Sequence, residues 1–340
     1  MLDNRKKKIL QAIIEEYIET AEPVSSGSLV DKENLGVSSA TIRNDMAELE
    51  KIGFLEKPHT SAGRVPSQKG YRYYVDELLR DDKITAKEMQ YIKSKLETKV
   101  NEIEDLTKIA TSTLSEITHY TTVAIGPKVN KHEIADIKFV LLGSRVLMAV
   151  ILTDSGIIRE SIIKFDEDIT QKQVDNLTYI FNSKLVGKPL EKLDGPLEEY
   201  IVNEMKTGVK IIRKIIEEIN KLLEENDKIY LEGANKVFDL PEFKKMDVAR
   251  DFLNVLDAKD LVADVLNTGI AENVNVYIGN ESEYEELKNF SIVTFNHLLE
   301  DKDIGTIGII GPTRMDYSKV ISVMKYISKK INEDFKKGKF

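Results

Sequence analysis

The sequence predicts an α+β protein of more than one domain, and three observations lead to that class. Its 340 residues exceed what a single hydrophobic core usually serves, which suggests two or three domains. The N-terminal segment 1–80 carries three helical patterns and then a short hairpin pattern. The rest suggests one α/β domain that is interrupted after its first strand by further strands and helices.

Composition is typical of a globular protein. Hydrophobic residues make up 41% and charged residues 31%, with 18 Gly and 8 Pro, which excludes a collagenous or wholly disordered chain. No apolar stretch approaches the roughly 18 residues of a membrane span, and the start is charged rather than signal-like. The absence of cysteine excludes disulfides, cysteine-ligated zinc, iron–sulfur clusters and thiol nucleophiles. We therefore expect a cytoplasmic protein without a membrane partner.

The segment 1–80 has the order helix, helix, tight turn, helix, hairpin. The third helix is capped by Ser38 or Ser39, repeats Ile42, Met46 and Leu49 on one face, and closes at Gly53. A short strand over 54–57, a turn and a return at 64–65 follow it. This order is that of a winged helix-turn-helix, a DNA-binding motif.

The outward face of the third helix suits a DNA groove. Two alanines leave this face without bulky side chains, so that the helix can enter a major groove. Arg43 can form two hydrogen bonds with a guanine edge, and Asn44 can form two with an adenine edge. Three nearby acids favour instead a merely solvated face, so this pattern alone leaves both interpretations open. The outward residues are Ala40, Asn44, Ala47 and Lys51, and the residues that flank them are Ser39, Thr41 and Arg43. The nearby acids are Asp45, Glu48 and Glu50.

The hairpin tip combines cations with small polar donors and lacks acids, which suits phosphates or a minor groove; an ordinary polar turn is the alternative. Its candidate DNA-binding residues are Lys57, His59, Thr60, Ser61 and Arg64. The whole chain carries a net charge of −9, but the segment 1–80 carries only −1, and 57–72 contain no acid. Any DNA-binding surface is therefore local.

Beyond residue 80, a near-heptad pattern predicts one long helix over 86–120, followed by a strand over 121–126. A three-strand meander and three helices then occupy about 134–226. In the helix over 208–225, Ile212, Ile215, Ile219 and Leu222 form a seam that suits a dimer contact. A stripe of this width also suits packing on its own sheet, so both possibilities stay open. Strands over 228–232, 274–279, 291–296 and 304–310, with helices over 247–266 and 317–335, complete the prediction.

Several blocks closely resemble the HrcA family of heat-inducible transcription repressors. The blocks are spread over nearly the full length in a fixed order, which makes the resemblance specific. They are residues 38–50, 53–55, 58–66, 70–76, 230–233 and 311–317.

The resemblance implies three domains. These are a winged-helix DNA-binding domain (1–80), a GAF-like domain (81–133 and 227–340) and a dimerisation domain inserted into it (134–226). It further implies a homodimer on an inverted-repeat operator upstream of chaperone operons, relieved by heat stress, with the chaperonin as a partner.

An enzymatic function finds little support, and we expect no cofactor and no bound metal. The four histidines (His59, His119, His132 and His297) are scattered without metal-ligand spacing. Gly305, Gly308 and Gly311 fall in or at the end of a strand and are expected to serve close packing. Arg314 and Asp316 could bind a ligand anion, but we expect them instead to pair or cap where the strand meets the final helix. The competing hypothesis is a metabolite-sensing winged-helix repressor with a ligand in the GAF-like domain.

Overall fold

A computed structural model describes residues 2–32, 36–58, 63–79, 84–97, 103–126, 132–189, 195–205, 208–224, 229–268, 274–299 and 302–336. The helices are α1 (Asn4–Thr20), α2 (Ser26–Lys32), α3 (Ser39–Lys51), α4 (Gln68–Tyr73), α5 (Ala86–Leu96), α6 (Ile103–Thr118), α7 (Gln171–Leu185), α8 (Gly195–Met205), α9 (Val209–Glu224), α10 (Met246–Asp257), α11 (Lys259–Asn267) and α12 (Tyr317–Lys336). The strands are β1 (Leu55–Glu56), β2 (Val65–Pro66), β3 (Thr121–Ile125), β4 (Ile134–Gly143), β5 (Val146–Thr153), β6 (Ile158–Lys164), β7 (Ile229–Glu232), β8 (Val274–Ile278), β9 (Phe290–Leu299) and β10 (Lys302–Pro312). None of these described helices is both long and apolar enough to cross a membrane.

The N-terminal helices and hairpin form as the sequence predicts. Ser38 caps α3 by accepting from the Thr41 amide at 3.3 Å, and Gly53 adopts φ +83° just beyond its end. The two-residue strands β1 and β2 pair antiparallel, and Val24 bridges Arg64, which attaches the hairpin to the segment between α1 and α2. Gly63 has to lack a side chain because a Cβ there would lie 2.7 Å from the Pro23 carbonyl oxygen.

The predicted single helix over 86–120 is wrong. The structure has two helices, α5 and α6, that pack against each other as a hairpin. Tyr91 and Lys95 of α5 both contact Glu116 near the end of α6. The near-heptad repeat arises because each helix buries an apolar face against its neighbours. Two packed helices show the same periodicity as one long helix, so the repeat does not distinguish the two arrangements.

Two antiparallel sheets lie beyond this hairpin. The larger has the order β7-β3-β10-β9-β8, and the smaller is the meander β4-β5-β6. Strand β3 pairs with β7, so the two ends of the segment that carries the meander and α7–α9 meet side by side. That segment has its own core, in which the inner face of the meander packs on α7 and α9, and every buried member lies between residues 134 and 222.

The winged helix shares a core with the rest of the molecule. One continuous buried cluster runs from Ile13 of α1 and Tyr71 of α4 to Tyr317 and Val320 of α12. The rings of Tyr71 and Tyr317 lie 5.9 Å apart. The N-terminal elements are therefore packed onto the body rather than tethered to it.

Candidate nucleic-acid interface

Helix α3 turns the predicted face outward. Ile42, Met46 and Leu49 are buried against α1 and α2, as their spacing predicts. The exposed side chains on the other side are Ala40, Arg43, Asn44, Ala47 and Lys51. A helix whose exposed face has small side chains at its centre and two side chains that can each form two hydrogen bonds with a base has the shape and chemistry that a major groove accepts.

Ser39 and Thr41 are half-buried at the start of α3 and stabilise its position. The Ser39 hydroxyl lies 3.0 Å from that of Ser26, linking α3 to α2. The Thr41 hydroxyl lies 3.0 Å from the capping Ser38 hydroxyl. Their contact with DNA stays a prediction.

The three acids of α3 each bind a cation of the same domain. Asp45 is buried and accepts two hydrogen bonds from Arg5, at 2.8 and 3.1 Å. Glu48 binds Lys6 at 2.7 Å, and this contact is the main reason that the pKa of Lys6 is raised. Glu50 binds Arg64 at 2.7 Å. The acids that argued for a solvated face are therefore neutralised from within the domain, so they repel a phosphate backbone less.

The basic run at the N-terminus is thus used partly inside the domain. The sequence offers Arg5 to Lys8 as an isolated cluster of cations, whereas the structure places Arg5 and Lys6 against α3. Sequence analysis missed this role because the partners lie on different helices, far apart along the chain, and no local pattern pairs them.

The wing residues are placed differently from one another. Lys57 is exposed after β1, as predicted. Arg64 is not an extended cation at the hairpin tip, because its side chain is 16% exposed and lies against Glu50 of α3. His59, Thr60 and Ser61 lie outside the described residues. The roles of all five at DNA stay predictions.

Two arginines attach the winged helix to the body. Arg72 binds both carboxylate oxygens of Glu281 and the Val276 carbonyl oxygen. Arg314 binds Glu242 and donates to the carbonyl oxygen of Ile18 near the end of α1. Burial lowers the pKa of Arg314, but Glu242 outweighs that effect, and the pKa is raised overall. Asp316 accepts from the Lys319 amide at 3.0 Å and so caps α12. The ion pair with Glu242 thus accounts for Arg314, and the capping of α12 accounts for Asp316.

The predicted dimer seam on α9 does not lie on the surface of the single chain. Ile212, Ile215 and Ile219 are 0% exposed and Leu222 is 6% exposed, all within the core beneath the meander. The stripe packs on its own sheet, as the alternative interpretation predicts, and a role of these residues in a dimer stays a prediction. A strongly apolar helix next to a sheet gains most by covering that sheet's inner face.

Two hollows bear on the ligand hypothesis. The hollow lined by residues of α6, β9, β10 and α12 measures about 10 Å³, the space of about one water molecule. A cleft of about 920 Å³ lies between α1 and the body, with Glu15, His119, Tyr120, Arg314 and Lys319 among its lining residues. Within the described part of the chain, no group of three or more potential ligands could hold a metal ion.

Known proteins resemble the chain over its whole length. The family described as HrcA protein C terminal domain matches residues 104–321, and the DeoR-like helix-turn-helix domain matches residues 11–68. The heat-inducible transcription repressor HrcA of Ruminiclostridium cellulolyticum is 42% identical, covering 99% of this chain and 98% of that protein. Its counterpart in Acetivibrio thermocellus is 40% identical, covering 98% and 96%.

A solved structure supports the fold. The crystal structure of a hypothetical protein superposes with a TM-score of 0.68 at 24% identity, covering 99% of each chain. The relatives are named as repressors rather than as enzymes. The chain belongs to the HrcA family of heat-inducible transcription repressors.

Proposed function

We propose that this protein represses transcription by inserting α3 into the major groove of operator DNA. Arg43 and Asn44 contact base edges, and Lys57 contacts the phosphate backbone. The observation that carries the proposal is the outward face of α3, where exposed Arg43, Asn44 and Lys51 stand beside acids that already bind cations. Such a face allows a protein of net charge −9 to approach DNA.

The operator is an inverted repeat upstream of chaperone operons, bound by a homodimer and released under heat stress. Residues 134–226 form a dimerisation domain inserted into a GAF-like domain (81–133 and 227–340), and the chaperonin helps to keep the repressor competent. The pairing of β3 with β7 and the separate core of the segment between them support the insertion. A two-fold dimer matches a two-fold operator because each subunit then occupies one half-site.

Fluorescence anisotropy with labelled duplexes tests this function. The full chain is titrated with DNA from upstream of the chaperone operon of its own genome, and with a shuffled duplex of equal length. We expect much tighter binding to the first duplex, at a stoichiometry of two chains per duplex. Equal affinity for both duplexes at physiological salt would contradict the proposal.

Metabolite sensing receives less support. The apolar cavity lined by α6, β9, β10 and α12 measures about 10 Å³, far below the roughly 300–1,000 Å³ of ordinary ligand pockets, and the cleft of about 790 Å³ beside α5 and α6 is open and lined largely by polar side chains such as Lys87, Glu88 and Glu116. The cleft beside α1 is large enough, but Arg314, which lines it, is engaged by Glu242 and Ile18. Native mass spectrometry of the purified protein, compared with denaturing mass spectrometry, detects any small molecule that co-purifies.

A further inference from the structure

An ion pair between α1 and α3 leaves half of an arginine side chain at the surface. The Arg5 Nε and Nη2 atoms donate to the Asp45 carboxylate at 2.8 and 3.1 Å. The Asp45 side chain is 4% exposed, whereas that of Arg5 is 50% exposed. A guanidinium has five N–H groups, and within the described residues two of those of Arg5 have an acceptor. The edge formed by its two Nη atoms is therefore available to a further acceptor.

This arginine lies along one side of the outward face of α3. Asp45 and Glu48 are three positions apart and so share one side of the helix, where Arg5 and Lys6 bind them. Glu48 also follows Asn44 by one turn, and Asn44 is one of the two residues proposed to contact bases. The two cations of α1 thus stand beside the surface that would enter the groove.

The dimensions of DNA bring a phosphate to this side of the helix. The major groove is about 12 Å wide, and an α-helix with its side chains is about 10–12 Å across. A helix that fills the groove therefore has a sugar-phosphate strand along each of its sides. On the side of the wing, α3 carries Glu50, which binds the 16% exposed side chain of Arg64. On the side of α1, the more exposed guanidinium of Arg5 occupies the corresponding place.

The buried carboxylate gives this guanidinium a fixed orientation. Two hydrogen bonds to Asp45 define the plane of the Arg5 guanidinium, so that less freedom is lost when it binds an anion. Lys7 offers a contrast two positions further along α1, which is nearly the opposite side of the helix. It lies 3.8 Å from Glu77 and above the ring of Tyr73, away from α3.

We propose that Arg5, oriented by Asp45, binds a DNA phosphate of the strand that borders α3 on the side of α1. The inference rests on the proposed function, because it adds a backbone contact to the same interface. A guanidinium suits this role, since one edge can bind a carboxylate while another edge binds a phosphate oxygen. The contact reads no base, and it fixes how deeply and at what angle α3 lies in the groove.

A double substitution that leaves the net charge unchanged tests the contact. Arg5→Met with Asp45→Leu replaces the pair by apolar side chains, an exchange that buried ion pairs often tolerate. Fluorescence anisotropy on the full chain is measured over a range of salt concentrations, with operator and shuffled duplexes. We expect about ten-fold weaker binding to both duplexes and a salt dependence flatter by about one unit of slope. A double variant with the thermal midpoint and the salt slope of the wild type would overturn the proposal.

Lys7→Gln serves as the matched control, because it removes a cation from the other side of the same helix. We expect its affinity and its salt slope to stay close to those of the wild type. If Lys7→Gln flattened the salt dependence as much as the double variant does, the effect would belong to the charge of α1 in general. The specific role of Arg5 would then be overturned.

Chemical modification of the wild type tests the same contact without any substitution. Phenylglyoxal reacts with accessible guanidinium groups, and mass spectrometry of peptides gives the rate at each arginine. We expect the operator duplex to slow the modification of Arg5 by at least about five-fold, because a bound phosphate covers its free edge. Arg145, with a 59% exposed side chain in the inserted segment, should react equally fast with and without DNA. Unchanged reactivity of Arg5 would overturn the proposal, however stable the variants prove to be.

The outcomes separate this inference from the proposed function. A wild type that binds operator and shuffled duplexes equally contradicts the proposed function itself. A wild type that prefers the operator and depends on Arg43 and Asn44, while Arg5 stays reactive on DNA, overturns only the Arg5 contact.

Discussion

At the residue scale, α3 illustrates how buried and partly buried charges prepare a binding surface. The Asp45 carboxylate has a 4% exposed side chain, and such a group is costly unless it is paired and hydrogen-bonded. Arg5 of α1 provides both the opposite charge and the hydrogen bonds. Lys6 binds Glu48, and Arg64 binds Glu50. The same contacts that stabilise the domain remove negative charge from the neighbourhood of Arg43 and Asn44.

The proposed base contacts can be tested one side chain at a time. Arg43→Ala and Asn44→Ala should each cost about 1–3 kcal/mol of operator binding and relax the preference at particular base pairs. Both side chains are exposed, so stability should hardly change. Anisotropy on operator and shuffled DNA measures the effect, with Lys93→Ala on α5 as the control for removing an exposed cation. Equal losses on both duplexes would mean that these residues contact only the backbone.

The Glu50–Arg64 pair leads to a prediction about the wing. Glu50→Gln removes the carboxylate that Arg64 binds at 2.7 Å, so the guanidinium loses its ion pair with α3 and its charge becomes more available to a phosphate. We expect tighter binding to all sequences and a salt dependence steeper by about one unit of slope. Glu56→Gln on β1 removes one negative charge without releasing Arg64, and serves as the matched control. If both variants behave alike, only net charge is responsible.

At the element scale, α5, α6 and α9 show that a periodic pattern identifies a buried face but not the surface that buries it. The same heptad-like spacing serves a helical hairpin at α5 and α6 and a helix-on-sheet contact at α9. In α9 the stripe is wide because it covers the meander.

The burial of α9 gives a stability prediction. Ile215→Ala creates a cavity in the core of the inserted segment and should lower the free energy of unfolding by about 2–5 kcal/mol. Val209→Ala, at a residue that is 41% exposed, should cost far less. Urea unfolding followed by circular dichroism measures both. If Ile215→Ala left stability unchanged and dissociated the dimer, the α9 seam would be the contact after all.

At the scale of the whole molecule, the winged helix and the body are coupled by packing and by charge. They share a buried cluster that includes Tyr71 and Tyr317, and Arg72 binds Glu281 across the junction. Unfolding of the body therefore exposes the core on which the DNA-binding helices rest. This coupling suits a repressor that heat inactivates by loss of structure, for which the chain offers no cysteine as an alternative sensor.

The coupling predicts that heat removes DNA binding and structure together. Thermal unfolding by circular dichroism and loss of operator binding should share one midpoint in the wild type. Arg72→Gln breaks the contact with Glu281 and should lower both midpoints by the same few degrees. Arg145→Gln, at an exposed ion pair with Asp168, should lower neither. Binding lost well below any structural transition would point to a ligand instead.

The sequence by itself determined the elements and the family. Helix periodicity, the cap of α3 at Ser38 or Ser39, and the apolar strands depend on residues within a few positions of each other. The outward face of α3 follows for the same reason, since three buried positions on one helix fix the other side. Local rules therefore predicted nearly every element except the break between α5 and α6.

Only the tertiary structure decided which groups meet. Arg5 meets Asp45 across 40 positions, Arg72 meets Glu281 across 209, and α9 covers the meander. Contacts of this kind depend on how the whole chain closes upon itself, because burial and charge pairing act through space and not along the sequence.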